Sequence, residues 1–146
     1  MRLSTRARYG TRFMVGLALH YGNGPSFLKD VAKAEEIPQK YLTQLVIPLK
    51  AKGLLSATRG AHGGYALARH PKEITLKEIV EVLEGDLMPI DCSKNVHECR
   101  RVSLCVTRDV WAQVSAKIAQ TLKAITLEDL VRKYRKKGKR SAMRHL

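Results

Sequence analysis

The chain has 146 residues, 45% of them hydrophobic and 5% aromatic, which suits one domain with an aliphatic core. Twenty-seven Lys and Arg against 13 Asp and Glu give a formal net charge of +14, which favours a polyanionic partner, nucleic acid ahead of an acidic membrane surface. The apolar stretch at 13–19 is too short for a membrane span and has no convincing cleavage site behind it, so a reducing cytoplasm and no membrane partner are expected.

Phe13, Met14, Leu17, Ala18 and Tyr21 recur at three- and four-residue steps and predict a helix from about Thr5 to Tyr21. Arg2, Arg6, Arg8 and Arg12 cluster at its start, against the helix dipole, where a bound phosphate would relieve the conflict. After the "GNGPS" break, Ser26 is placed to cap a short helix running to about Glu36, with Leu28, Val31 and Ala32 inward. Pro38 suits the first turn of the next helix, in which Leu42, Leu45 and Leu49 form the buried stripe and Gly53 the stop. Pro48 removes one backbone hydrogen bond and predicts a kink. Two short helices and a tight turn make a helix-turn-helix pattern.

"LLSATRGAHGGYALAR" reads as two strands, 54–58 and 65–69, joined by a Gly-rich loop. A hairpin in that place is the wing of a winged helix, and Gly60, Gly63 and Gly64 permit a tight turn and close approach to a partner. "ITLKEIVEVLEG" is a helix with Thr75 and Glu78 as a capping box and Gly85 as the stop. A long helix follows from a Thr107 cap, with Val110, Trp111, Val114, Ile118, Leu122 and Ile125 as its stripe. It exceeds what a small winged helix needs, so part of the stripe is assigned to a dimer surface. Thr126 and Asp129 start a short closing helix. Residues 132–146 carry eight basic residues and no acid, and read as a disordered tail.

All three cysteines, Cys92, Cys99 and Cys105, fall within 14 residues. Odd, clustered thiols in a reducing compartment point to metal or redox chemistry rather than disulfides. Thiolates suit an iron–sulfur cluster or zinc, and free redox-reactive thiols are the third possibility. Arg100, Arg101 and Arg108 surround the segment and favour thiolate in every case.

"MRLSTRARYGTRFM", "YLTQLVIPLKAKGLLSATRGAHGGYALA", "ITLKEIVEVLEG" and the cysteine segment followed by "TRDVW" resemble the Rrf2 family of bacterial transcription regulators over about residues 1–130. The resemblance implies a mainly α fold with a small β-hairpin wing: a winged helix-turn-helix (1–85), a cysteine loop (86–106), and a long C-terminal dimerisation helix with a closing helix (107–131), with the tail (132–146) outside it. It also implies a cytoplasmic homodimer that binds a near-palindromic double-stranded operator. In several members three clustered cysteines hold an iron–sulfur cluster.

In a dimeric helix-turn-helix the start of the second helix meets base edges, here Gln39, Lys40, Thr43 and Gln44, with Tyr41 split between packing and phosphate. The family pattern sends Arg59 into the minor groove beside Gly60 and Gly63; Arg2, Ser4 and Arg6 are expected to grip phosphates, and His62 reads as a phosphate contact or a solvent-facing residue rather than a metal ligand. The departures are Thr43, where some members carry Glu, and Ala61-His62, where the wing commonly has Pro-Gly.

The fourth cluster ligand does not carry over. Where some members have His three residues after the last cysteine this chain has Arg108, and where others use an N-terminal Asp of the partner subunit it has Arg8. Local candidates are His97, Asp91, Glu98 and Asp109. The expected function is a repressor controlled by such a cluster, sensing iron–sulfur status, nitric oxide or redox stress. The alternatives are a metal-free, thiol-based repressor of the same fold and a scaffold that binds a partner enzyme. No acid–base pair or phosphate loop supports an enzyme or a small-molecule substrate.

Overall fold

The computed structural model describes residues 2–87, 97 and 99–144. Helices α1 (Thr5–Leu19), α2 (Leu28–Glu35) and α3 (Gln39–Ala51) precede strands β1 (Leu55–Thr58) and β2 (Gly64–Leu67). Then come a 3-10 turn (Pro71–Glu73), α4 (Leu76–Glu84), a second 3-10 turn (Val102–Leu104), α5 (Val106–Lys123) and α6 (Leu127–Arg144). This is the mainly α architecture with a two-stranded wing that the sequence predicts.

The core forms where the helical stripes converge. Phe13, Met14 and Leu17 of α1 pack with Leu42, Leu45 and Leu49 of α3 and with Ile79 and Leu83 of α4. A Cβ at Gly10 would land on the Leu83 side chain, so that glycine lets α4 sit close against α1. The helix ends are chemically closed. Ser4 caps α1 by accepting from the Ala7 N–H at 3.2 Å. α2 stops at Glu36, which adopts the left-handed conformation at φ 53°. α3 runs as one helix through Pro48 and is closed by Gly53 at φ 71°.

Thr75 and Glu78 form the expected capping box, with Thr75 N–H donating to Glu78 at 2.9 Å and Glu78 N–H to the Thr75 hydroxyl at 3.2 Å. Partial burial pushes the Glu78 carboxyl up, but the Thr75 N–H and the Arg69 guanidinium outweigh it and hold the carboxyl below its ordinary value. Arg69 reaches it at 2.7 Å, tying the end of the wing to α4. A depressed carboxyl stabilises the fold above the unfolded-state pKa, and that contribution is lost as pH falls through the lower folded-state value. Gln keeps the capping acceptor and loses only the charge, so Glu78→Gln should cost no more than about 1 kcal/mol at neutral pH. In denaturant titrations the gap from wild type should close as pH drops below the carboxylate range.

The strands pair antiparallel in the register Leu55↔Leu67, Ser56↔Ala66, Ala57↔Tyr65 and Thr58↔Gly64. Ser26 does not cap α2 as expected; Phe27 occupies that position without a side-chain cap. The Ser26 backbone instead exchanges two 2.8 Å hydrogen bonds with Tyr65 and braces the outer edge of β2. This contact explains the wing glycines. Gly64 sits at φ +145°, and a Cβ there would strike the Ser26 carbonyl. A Cβ at Gly63 would strike the carbonyl oxygen of Thr58. The close approach predicted for these two glycines is thus to the chain's own backbone, and Gly63 is buried rather than offered to a partner. Gly64→Ala should cost about 1–3 kcal/mol in chemical unfolding, from backbone strain alone.

Two boundaries differ from the sequence reading. The Thr126–Asp129 cap forms, with Thr126 N–H donating to Asp129 at 2.9 Å. Backbone bonds Leu76 N–H to Ile125 O (2.8 Å) and Leu127 N–H to Ile74 O (2.9 Å) then lock this turn onto the start of α4. Leu127 and Val131 enter the winged-helix core, so the start of α6 packs with residues 1–85. Beyond Val131, α6 continues to Arg144 where a disordered tail was expected. Lys, Arg, Ala and Met are good helix formers and no proline interrupts them. The long helix also begins one residue ahead of Thr107, with Cys105 at the capping position.

Candidate nucleic-acid interface and cysteine segment

The buried stripe of α3 leaves Gln39, Lys40, Thr43 and Gln44 together on the exposed side. Thr43 bonds back to the Gln39 carbonyl at 3.1 Å. Tyr41 is half-buried, its ring edge-on to Tyr9 of α1 at 5.6 Å between centroids, and the Arg12 guanidinium lies 5.8 Å from the Tyr9 ring. Packing therefore accounts for most of Tyr41. Ile47, missed in the sequence, lies on the exposed stripe and is 67% accessible. Its place one turn beyond Thr43, away from Leu42, Leu45 and Leu49, is the signal that could have identified it.

Arg59, Gly60, Ala61 and His62 form the exposed tip of the wing, and Gly60 adopts φ 107°. At the N-terminus Arg2 and Arg6 are exposed, and Arg6 Nε donates to the Leu83 carbonyl at 3.3 Å. Ser4, expected to contact phosphate, is engaged within the chain. Its hydroxyl caps α1 and its N–H donates to Glu84 at 2.6 Å. The Glu84 carboxylate thus lies at the N-terminus of α1, where negative charge is favourable.

A groove of about 1010 Å³ separates α1 and α4 from α5 and α6. Val15, Val80, Ile118, Leu122 and Leu130 form its apolar walls, and Arg2, Arg8, Arg12, Lys133 and Lys137 stand with Glu35, Glu84 and Asp86 around it. Arg12 pairs with Glu35 at 3.7 Å and also donates to its backbone carbonyl. Burial nevertheless outweighs that guanidinium and pushes the Glu35 carboxyl up. The α5 stripe is thus divided. Ile118 and Leu122 line this groove, whereas Val110 and Trp111 are 52% and 45% exposed.

Of the cysteine segment, Cys92, Asp91 and Glu98 lie outside the described residues. His97 and Asp109 are exposed, and Cys99 and Cys105 are half-buried. Cys105 Sγ lies 3.2 Å from the Thr107 hydroxyl. That hydroxyl, the Arg108 and Thr107 backbone N–H groups at the start of α5, and the Arg101 charge hold the thiol below its ordinary pKa. Cys105 is therefore predisposed to the thiolate that a soft metal or an oxidant requires. No three His, Cys, Asp or Glu side chains converge among the described residues, nor is any helix there long and apolar enough to cross a membrane.

Residues 3–133 match the Rrf2 family, described as an iron-dependent transcriptional regulator. The protein rrf2 of Nitratidesulfovibrio vulgaris is 37% identical over 132 residues, covering 90% of this chain and 88% of its own. The structure of CymR, the global cysteine regulator of B. subtilis, superposes with a TM-score of 0.76 at 36% identity, over 90% of this chain and 96% of that one. The structure of T. potens IscR gives the same TM-score and identity over 92% of this chain and 88% of its own.

Proposed function

This chain belongs to the Rrf2 family of DNA-binding transcriptional regulators, not enzymes, and we propose that it acts as a cytoplasmic homodimeric repressor whose grip on a near-palindromic operator is set by its cysteine segment. The observation that carries this reading is the exposed face of α3 standing beside a braced wing with Arg59 at its tip.

α3 enters the major groove. Gln39 and Gln44 pair with adenine edges and Lys40 donates to guanine acceptors. Thr43 and Ile47 offer methyl groups to thymine. Arg59 occupies the adjacent minor groove, where a narrow A·T-rich tract deepens the negative potential. Gly60 and His62 approach the backbone, and Arg2 and Arg6 hold phosphates. The second head comes from a partner chain joined through the exposed half of α5.

Cys92, Cys99 and Cys105 would hold an iron–sulfur cluster, with His97, Asp91, Glu98 or Asp109 available as a fourth ligand. The low thiol pKa at Cys105 suits that donor set. When bound, the cluster supplies sensitivity to iron supply, nitric oxide and oxidants. The chain's own part is mechanical. The segment joins α4, which is packed in the DNA-binding core, to α5, which spaces the two heads. Ordering or releasing it shifts the balance between two dimer arrangements, and a differential stability of about 1–3 kcal/mol changes operator affinity 5- to 150-fold. A metal-free reading is favoured by the same Cys105 environment and by the likeness to a protein described as a cysteine regulator. In it, oxidation or thiol modification replaces the cluster as the signal.

Selection from a random duplex pool by the purified protein tests the reading. It should enrich a near-palindrome with half-sites about one helical turn apart. A pool that stays unenriched contradicts it.

A further inference from the structure

We propose that the helical extension of α6, residues 132–144, is a second DNA-contacting surface that grips duplex phosphates outside the footprint of α3 and the wing. This rests on the DNA-binding reading above and adds an element beyond the family match, which ends at residue 133.

Packing does not explain the extension. Leu127, Leu130 and Val131 tie α6 to the core, and every residue described from Arg132 to Met143 is exposed. Its charge is one-sided. Glu128 and Asp129 are the last acidic residues of the chain, and Arg132 meets both, at 3.8 and 2.9 Å. The seven further basic residues, Lys133 through Arg144, have no carboxylate on their own stretch of helix.

That arrangement calls for a polyanion. Arg132 and Lys136, Lys133 and Lys137, Arg135 and Lys139, and Lys136 and Arg140 are like charges four residues apart, each pair opposing the helix. A row of phosphates removes the repulsion. The extension spans about 18 Å at 1.5 Å per residue, a length over which duplex DNA carries roughly ten phosphates. Lys133 and Lys137 line the same groove as Arg2, which is assigned to phosphate, although Glu35, Glu84 and Asp86 also line it, so the extension's other basic residues, Arg135, Lys136, Lys139 and Arg140, carry the contact.

The test is the salt dependence of binding by the full chain. Each lost phosphate contact makes the slope of log K against log salt shallower by about 0.9. With Lys136→Gln, Lys137→Gln, Lys139→Gln and Arg140→Gln combined, the slope should become shallower by roughly 2–4, and affinity at fixed low salt should fall roughly 10- to 100-fold on operator and unrelated duplex alike. A companion variant with Lys136→Arg, Lys137→Arg and Lys139→Arg keeps the charge and should keep the wild-type slope.

A wild-type slope in the Gln variant overturns this proposal and leaves the family reading standing. A wild-type protein that binds no duplex overturns both. Equal losses in the two variants would mark a purely structural helix and overturn it as well. So would an unchanged slope in a Gln variant that no longer binds phosphatidylcholine–phosphatidylserine vesicles, because the partner would then be a membrane surface.

Discussion

Trp111→Glu is expected to turn the dimer into a monomer and to weaken binding to a two-half-site operator by roughly 10²- to 10⁴-fold, the range that linking two binding modules provides. The reason lies in the exposed half of α5. Leu104 is 82% exposed and Val106 75%, and with Val110 and Trp111 they put four large apolar side chains in water around one end of a helix. Ile118 and Leu122, further along the same stripe, face the chain's own groove. Exposed large apolar side chains gathered at one end of a helix suit an interaction site. A carboxylate at its centre would lose its hydration on association with no partner to replace it. The helix itself should survive, because the Trp111 carbonyl, which accepts from the Ser115 hydroxyl at 3.0 Å, is kept in the variant. Sedimentation and operator titration on the same preparation check both halves of the expectation. A Trp111→Glu protein that remains dimeric would place the interface elsewhere.

Arg59→Ala should weaken specific operator binding by about 1–3 kcal/mol at fixed salt. Arg59 is exposed at the wing tip, and the wing beneath it is rigid for identifiable reasons: the Ser26–Tyr65 backbone pair, the Thr58–Gly64 register and the Arg69–Glu78 ion pair. Such a frame removes the cost of ordering the backbone when Arg59 enters a groove and leaves the side chain's own rotamer freedom as the cost. The effect should be largest on operators with A·T-rich flanks, where the minor groove is narrow. Gel-shift titration against A·T-rich and G·C-rich flanks resolves this. A loss independent of flank sequence would assign Arg59 to phosphate contact, and no loss would contradict its place in the interface.

The sequence was most legible where structure is local. The Leu42, Leu45 and Leu49 spacing, the Thr75–Glu78 box and the two β-prone runs around three glycines each declare themselves within a dozen residues. They yielded the helix-turn-helix, α4 and the wing. What the sequence hid depends on residues far apart in the chain. Nothing near Ser26 announces that its backbone will pair with Tyr65, so Ser26 was read as a helix cap. Nothing near Ser4 announces that its N–H will meet Glu84 of α4. Residues 132–144 misled in another way: their charge argues for disorder, while their helix propensity and the anchored turn at Leu127 carry α6 onward. In the interface, Ile47 is easily passed over because its aliphatic side chain offers no hydrogen bond to a base, although its spacing from Thr43 places it on the exposed face. Cys105 gains its thiolate tendency from Thr107 and the first backbone amides of α5, whose cap lies two residues ahead of the Thr107 that the sequence suggests.

Operator affinity of the anaerobically iron-loaded protein, set beside that of a Cys92→Ala, Cys99→Ala, Cys105→Ala variant treated identically, tests the central claim most directly. The account predicts dissociation constants that differ 5- to 150-fold, the range of ordinary allosteric coupling, with iron and sulfide retained only by the wild type. Equal affinities, with the wild type demonstrably loaded, would contradict it.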